Sequence, residues 1–235
     1  MPLNESKGNM YAFVTHTWNT VKGRCPHDCS YCYMKRWGEQ KELHFDEKEL
    51  KTDLGAGNFI FVGSSCDVFA NEVPPRWVDK TLDHCGNFNN RYLFQTKAPQ
   101  YMVSYLDRGQ FPEYTTFGTT IETNRIYPQM GNTPVPKQRA NAMVDLKILD
   151  CDVETILTIE PIIDFDIAYF LPLIQRIEPE WVNIGADSGG HKLPEPPAGK
   201  VLELITELSK FTEVKIKKNL NRILGRVWDQ MPKNP

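Results

Sequence analysis

Phe59-Ile60-Phe61-Val62-Gly63, then Pro74-Pro75-Arg76-Trp77-Val78-Asp79-Lys80-Thr81-Leu82, then Arg91-Tyr92-Leu93-Phe94-Gln95-Thr96-Lys97 is the stretch that decides the fold. The first run is short, apolar throughout and bounded by turn signals, as a strand buried on both faces must be. The second opens with prolines, which suit the first turn of a helix because they lack only an amide that has no partner there. The third returns to a β-rich run. Strand, helix and strand in succession make a βαβ unit, with parallel strands and a right-handed crossover.

The same alternation extends outward. Upstream, Tyr11-Ala12-Phe13-Val14-Thr15-His16-Thr17-Trp18 reads as a first strand, followed by a cysteine-rich loop and a helical stretch from Met34. Downstream, strands are expected over Thr115 to Glu122, Thr155 to Glu160 and Trp181 to Gly185, with Val214 to Lys217 as a seventh and shorter one. Helices are expected over Pro136 to Leu149, Ile167 to Ile177 and Ala198 to Phe211, the last with apolar Val201, Leu202, Leu204, Ile205 and Leu208. About six units are too few to close the eight-stranded triosephosphate-isomerase barrel, so the expected architecture is α/β: an open, partial (βα)6 TIM-like barrel of parallel strands. One domain over residues 1 to 235 is expected, with its core from about residue 10 to 220. In such sheets chemistry gathers at the C-terminal strand ends. Ser64, Ser65, Asp67, Lys97, Glu122, Asn124, Glu160 and Asp187 sit there.

The chain has 235 residues and a formal charge of −3, so no global charge marks a nucleic-acid or membrane binder. Met1 to Lys7 lacks a basic-then-apolar signal pattern, and no apolar run approaches the roughly 18 residues of a membrane span. A cytoplasmic location is expected. Thiols there stay reduced, so clustered cysteines read as metal or catalytic sites rather than disulfides.

Gly23-Arg24-Cys25-Pro26-His27-Asp28-Cys29-Ser30-Tyr31-Cys32-Tyr33 holds three thiols spaced C-x₃-C-x₂-C. Thiolates suit iron–sulfur clusters or zinc, and a loop this tight directs its three sulfurs to one centre. Four thiolates saturate a cubane cluster; three leave one iron open, the mark of a metal that binds cofactor or substrate. The alternative is a non-catalytic zinc or iron–sulfur module, which needs a fourth donor such as His27, Cys66 or Cys85. Zinc ligands come as two separated pairs, and this triplet fits that pattern poorly.

The motif, with Tyr31 at its aromatic position, resembles the radical S-adenosylmethionine superfamily. Trp18-Asn19-Thr20, Ser65-Cys66-Asp67-Val68-Phe69, Thr96-Lys97, Gly118 to Asn124, Glu160-Pro161 and Trp181 to Gly185, taken in order, resemble a phage-associated branch distantly similar to spore photoproduct lyase. The resemblance implies an enzyme in which Cys25, Cys29 and Cys32 ligate a 4Fe–4S cluster. It also implies S-adenosyl-L-methionine bound at the open iron, reductive cleavage to a 5′-deoxyadenosyl radical, and hydrogen abstraction from a substrate. An external one-electron reductant of flavodoxin or ferredoxin type is implied as partner. Where that branch carries an acidic residue after its sixth-strand glycine, this chain reads Gly185-Ala186-Asp187, and no role passes to Asp187.

The cofactor's chemistry assigns further roles. Its ammonium asks for acceptors, met by Ser64, Ser65 and Asp67; its ribose asks for Glu122 and Asn124; its carboxylate asks for Lys97; its adenine is expected against Tyr31. Glu160 faces the barrel mouth as a substrate contact, and Cys66, beside the cofactor site, is placed to return a hydrogen atom to a substrate radical. Cys85 and Cys151 read as small buried hydrophobes. The basic run Lys215 to Arg226 is a solvated face, or a phosphate contact if it lies at the mouth. A wide mouth suits a nucleic-acid or other large substrate.

Overall fold

A computed structural model describes residues 3–7, 11–225 and 227. Its strands and helices are, in chain order, β1 (Asn4–Glu5), β2 (His16–Trp18), β3 (Val21–Lys22), β4 (His44–Phe45), β5 (Phe59–Val62), α1 (Pro75–Gly86), β6 (Arg91–Thr96), α2 (Gln100–Asp107), β7 (Thr115–Thr120), α3 (Pro136–Leu149), β8 (Glu154–Ile159), α4 (Ile167–Gln175), β9 (Trp181–Ile184), α5 (Ala198–Leu208), β10 (Glu213–Ile216) and α6 (Asn221–Leu224). One sheet runs β1-β2-β5-β6-β7-β8-β9-β10, and β3 pairs with β4 in a separate hairpin. From β2 to β10 every pairing is parallel; β1 lies antiparallel on β2, Asn4 opposite Thr17. No pairing joins β1 to β10 among the described residues, so the barrel is open, as expected.

The two-residue strand period divides the sheet into two surfaces. On β5, Ile60 and Val62 join the large outer core beneath the helices, while Phe59 and Phe61 face inward with Leu93, Ile156 and Trp181. Helices cover the outer face by apolar stripes. Val201, Leu204, Ile205 and Leu208 of α5 recur at i, i+3, i+4 and i+7 and are all buried; burying each is worth about 1.5–3 kcal/mol.

The expected first strand forms only over His16–Trp18. Tyr11 to Val14 turns back and fills the lower barrel: Phe13 packs 5.1 Å from both Phe59 and Trp181, and Tyr11 stacks on Phe13 at 5.3 Å. A run of aromatic and β-branched residues serves a plug as well as a strand. The helix expected from Met34 is a five-residue 3₁₀ helix, Tyr33–Trp37, that stops at Gly38 with φ +85°. Helix α2 was not expected. Cys85 is fully buried as read, but Cys151 is exposed in the turn after α3, not in the core. Among the described residues no helix is long and apolar enough to cross a membrane.

Candidate metal and cofactor site

The cysteine loop caps the C-terminal end of the sheet and is held there by residues far away in sequence. Ser30 N donates to Gln129 O at 2.9 Å, Asn132 N to His27 O at 2.7 Å, and the Cys29 thiol to Met130 O at 3.3 Å. Cys29 and Tyr31 pack in a small cluster with Met130, Ile163 and Leu193, which follow β7, β8 and β9. Gly131 has φ +64°, and a Cβ there would meet His27 O at 2.1 Å. The loop can sit this close only because residue 131 has no side chain.

Cys25, Cys29 and Cys32 all line one cavity of about 380 Å³, shared with Ser65, Lys97 and Glu160. A zinc ion with roughly 2.3 Å bonds would draw its thiolates to about 3.8 Å of one another. The loop sulfurs form no such group: among the described residues, the trio of donors mutually within 4.8 Å is Asp150, Cys151 and Asp152, exposed at the opposite end of the sheet. Three thiols on one cavity are the donor set of a cubane with one iron left open. Cys66 is buried on the same cavity, and its interaction with Cys25 brings the Cys25 thiol down to about 6 and raises that of Cys66. Burial raises the Cys29 and Cys32 thiols.

Below the loop lies a buried ion network. Glu122 is fully buried; its Oε1 accepts from Tyr31 Oη at 2.6 Å and from Lys97 Nζ, and its Oε2 accepts from Arg139 Nη1 at 2.9 Å. Burial alone would raise this carboxyl, but Arg139 and Lys97 outweigh it and bring it to about 2. The ribose expectation for Glu122 therefore meets a carboxylate with both oxygens engaged. Asn124 also departs from expectation: its Oδ1 accepts from Asp166 N at 2.8 Å, and it does not line the cavity. Tyr31 lines the cavity with Lys97 Nζ 4.9 Å above its ring. Burial, then Glu122, pushes its hydroxyl well above the usual phenol range.

Asp67, expected at the cofactor ammonium, is saturated by the protein. Its Oδ2 accepts from His27 Nε2 at 2.8 Å, Thr96 Oγ1 at 2.8 Å and Lys97 N at 2.9 Å, and its Oδ1 from Phe69 N at 2.9 Å. Burial opposes its ionisation, yet these donors hold it below the usual carboxylate range, so His27 Nε2 is the donor of the pair. His27, read only as a zinc donor, is a buried strut between the cysteine loop and β5–β6. Asn19 Oδ1 receives Ser65 N at 2.8 Å and Ser64 Oγ at 3.2 Å, which leaves the Ser65 hydroxyl on the cavity.

On the far wall, Glu160 accepts from Lys217 Nζ and Asn219 Nδ2, each at 2.7 Å. A Cβ on Gly185 would lie 2.7 Å from the Glu160 carboxyl, so residue 185 is glycine for close approach. Asp187 accepts from Gly189 N at 2.9 Å and His191 Nδ1 at 2.7 Å, closing its own turn. The basic run is mostly spent on internal partners: Lys215 sits 3.9 Å over the Trp181 ring, Lys217 pairs with Glu160 and Arg222 with Glu195. Arg226 lies outside the described residues. Arg139 and Tyr11 were missed, whereas Lys217 belongs to the basic run read as a contact if it lay at the mouth, and it lines the cavity. Arg139 had a signal, because it falls on the buried stripe of Pro136, Ala140, Met143 and Leu146, where a cation requires a buried anion.

No protein-family model and no curated protein sequence matches the chain. Its fold does match solved structures. A spore photoproduct lyase variant with bound AdoMet and dinucleoside spore photoproduct superposes with a TM-score of 0.65 at 11% identity, covering 89% of this chain and 78% of that one. SuiB of Streptococcus suis bound to precursor peptide SuiA superposes with a TM-score of 0.60 at 10% identity, covering 86% of this chain and 48% of SuiB. The chain thus has the partial-barrel fold of radical S-adenosylmethionine enzymes. At these identities the likeness to spore photoproduct lyase is one of fold.

Proposed function

We propose that this chain is a radical S-adenosylmethionine enzyme, with a 4Fe–4S cluster on Cys25, Cys29 and Cys32 and the sulfonium cofactor in the adjoining cavity. The observation that carries this reading is three thiols of one loop lining a single cavity at the C-terminal end of a radical-SAM-type barrel. When bound, cluster and cofactor together supply one-electron cleavage of a carbon–sulfur bond and, from it, hydrogen-atom abstraction.

The protein's part is to hold and to seal. Ser65 and Ser64 offer hydroxyls to the cofactor ammonium, and Lys97 offers its cation to the carboxylate while anchored on Glu122. Tyr31 lies against the adenine. Tyr11, Gln95, Thr120 and Thr158 form a neutral floor, with Tyr11 Oη at 2.9 Å from Gln95 Oε1 and 2.8 Å from Thr158 Oγ1. Glu160 with Lys217 forms the wall that a substrate meets, and Cys66, on the same cavity, is placed to return a hydrogen atom to a substrate radical. The substrate is a nucleic-acid or other large segment entering at the open mouth; membership of a phage-associated branch rests on the ordered strand motifs alone.

Anaerobic reconstitution followed by reductant and S-adenosylmethionine tests the reading. About four irons per chain and 5′-deoxyadenosine are expected, with both lost in Cys25→Ala, Cys29→Ala and Cys32→Ala. Mononuclear zinc, or a loaded cluster that yields no 5′-deoxyadenosine above background, overturns it.

A further inference from the structure

A second cavity, of about 420 Å³, opens on the outer rim of the sheet's C-terminal end. It lies where α2 and α3 begin, which supply Gln100, Tyr101 and Gln138, and it is completed by Asn71 between β5 and α1 and by Asn132 and Thr133 ahead of α3. Its size falls in the range of roughly 300–1,000 Å³ of small-molecule pockets. Its lining differs in kind from that of the cofactor cavity, to which Arg24, Lys97, Lys217, Asp67 and Glu160 contribute. Among the described residues no Asp, Glu, Lys or Arg lines the second cavity; four carboxamides, a phenol and a hydroxyl do. His27 stands in the wall common to the two.

The fold leaves these polar groups partly unspent. The Thr133 hydroxyl is shielded from solvent and has no hydrogen-bond partner among the described residues, a cost to the fold that a ligand can offset. Val135 N donates to Gln138 Oε1 at 3.2 Å and Tyr101 Oη to Asn71 Oδ1, so both carboxamides keep an amide donor. Asn132 Nδ2 donates to Pro26 O at 3.1 Å and leaves an acceptor. Tyr101, 37% exposed, has its ring pinned by the bond to Asn71. A neutral lining with donors beside acceptors selects a neutral, hydrogen-bonding ligand, because a charged one finds no counter-charge there. Carboxamides match adenine, which shows an acceptor and a donor at N7 and N6; the N7 and O6 acceptors of a 6-oxopurine ask for two donors, as from Arg. An aromatic ring supplies the face on which an unstacked base lies. We propose that this cavity binds a single adenine base that does not react, from a free nucleoside or from an unpaired strand. The base is held directly behind the cysteine loop, since Asn132 N and Nδ2 bind His27 O and Pro26 O. The inference needs neither cluster nor cofactor and stands apart from the radical reading.

Calorimetric titration of the full chain with adenosine, inosine and inorganic phosphate tests the assignment. Adenosine affinity is expected to fall by at least about fivefold in Tyr101→Ala and in Gln100→Leu, two exposed positions where neither change threatens the fold. In Thr133→Val it is expected to fall by at least about threefold while the thermal unfolding midpoint holds or rises, since a hydroxyl without a partner lends the free protein no stability. Inosine, with oxygen in place of the 6-amino group, should bind at least about fivefold more weakly than adenosine. Adenosine binding unchanged in both Tyr101→Ala and Gln100→Leu places the base elsewhere and overturns the proposal. Preference for phosphate over adenosine, or no adenosine binding at millimolar concentration, also overturns it. A short oligodeoxyadenylate separates the two sources: binding lost in the same variants assigns the base to a strand, and exclusion of the oligomer with adenosine retained assigns it to a free nucleoside.

Discussion

Follow the inward-facing positions up the barrel and the chemistry changes floor by floor. At the N-terminal end Phe13, Phe59, Phe61 and Trp181 close the interior with rings. One layer higher Gln95, Thr120, Thr158 and Asn183 line it with neutral hydrogen-bonding groups: Gln95 Nε2 donates to Thr120 Oγ1 at 3.3 Å and Asn183 Nδ2 to Thr158 Oγ1 at 3.5 Å. At the C-terminal end come two linked sets of charge-bearing groups, Glu122 paired with Lys97 and Arg139, and Asp67 held by His27. The lower end is stabilised by removing area from water and tolerates any solvent condition that keeps it dry. The upper end holds charges out of water and is secure only while every partner is present.

That contrast predicts its own breaking points. Glu122→Ala strands Arg139 and Lys97, and a loss of about 3–5 kcal/mol in urea unfolding is expected, with weakened S-adenosylmethionine binding. The double variant Glu122→Ala, Arg139→Met should lose less than Glu122→Ala alone. Phe59→Ala at the lower end should cost about 3 kcal/mol by leaving a cavity, and yet keep cofactor affinity; a parallel loss of affinity would show that the two ends are coupled.

Of the two ends, acid acts on the upper one. Glu122 sits near 2 in the fold against an ordinary 4.5, a depressed value, so its contribution is fully present above about pH 4.5 and is lost as pH falls toward 2. Unfolding followed between pH 6 and 2 should show this decline in wild type, and a shallower one in Glu122→Gln. Asn124→Ala is the smallest change: loss of the contact to Asp166 N should cost about 1 kcal/mol, with cofactor affinity unchanged.

Strands buried on both faces were legible because nothing else in a small domain reads as four to six apolar residues between turn signals; β5, β6, β8 and β9 fall where expected. Helix α3 matches to the residue, fixed by Pro136 at its start. Helix α2 was not legible, since it is two turns long and buries only Met102 and Tyr105. The plug Tyr11 to Val14 was misread because local pattern does not say whether an apolar run pairs or turns inward. In the site, the positions of Ser65, Lys97 and Glu160 on the cavity could be placed from strand ends, but which partners saturate a carboxylate is a tertiary fact. Asp67 shows the difference: the sequence puts it at the mouth, and four donors from three segments decide that it clamps rather than waits for a ligand.

Gly131 ends up as a part of the cysteine motif, though it lies about a hundred residues beyond it. A peptide cut from residues 23–33 would own three thiols and no fixed distances between them. During folding the loop must wait for β7 and its following turn, and closing so long a loop is costly in chain entropy before any contact rewards it. The ligands come early in the chain, and the template that spaces them is delivered late.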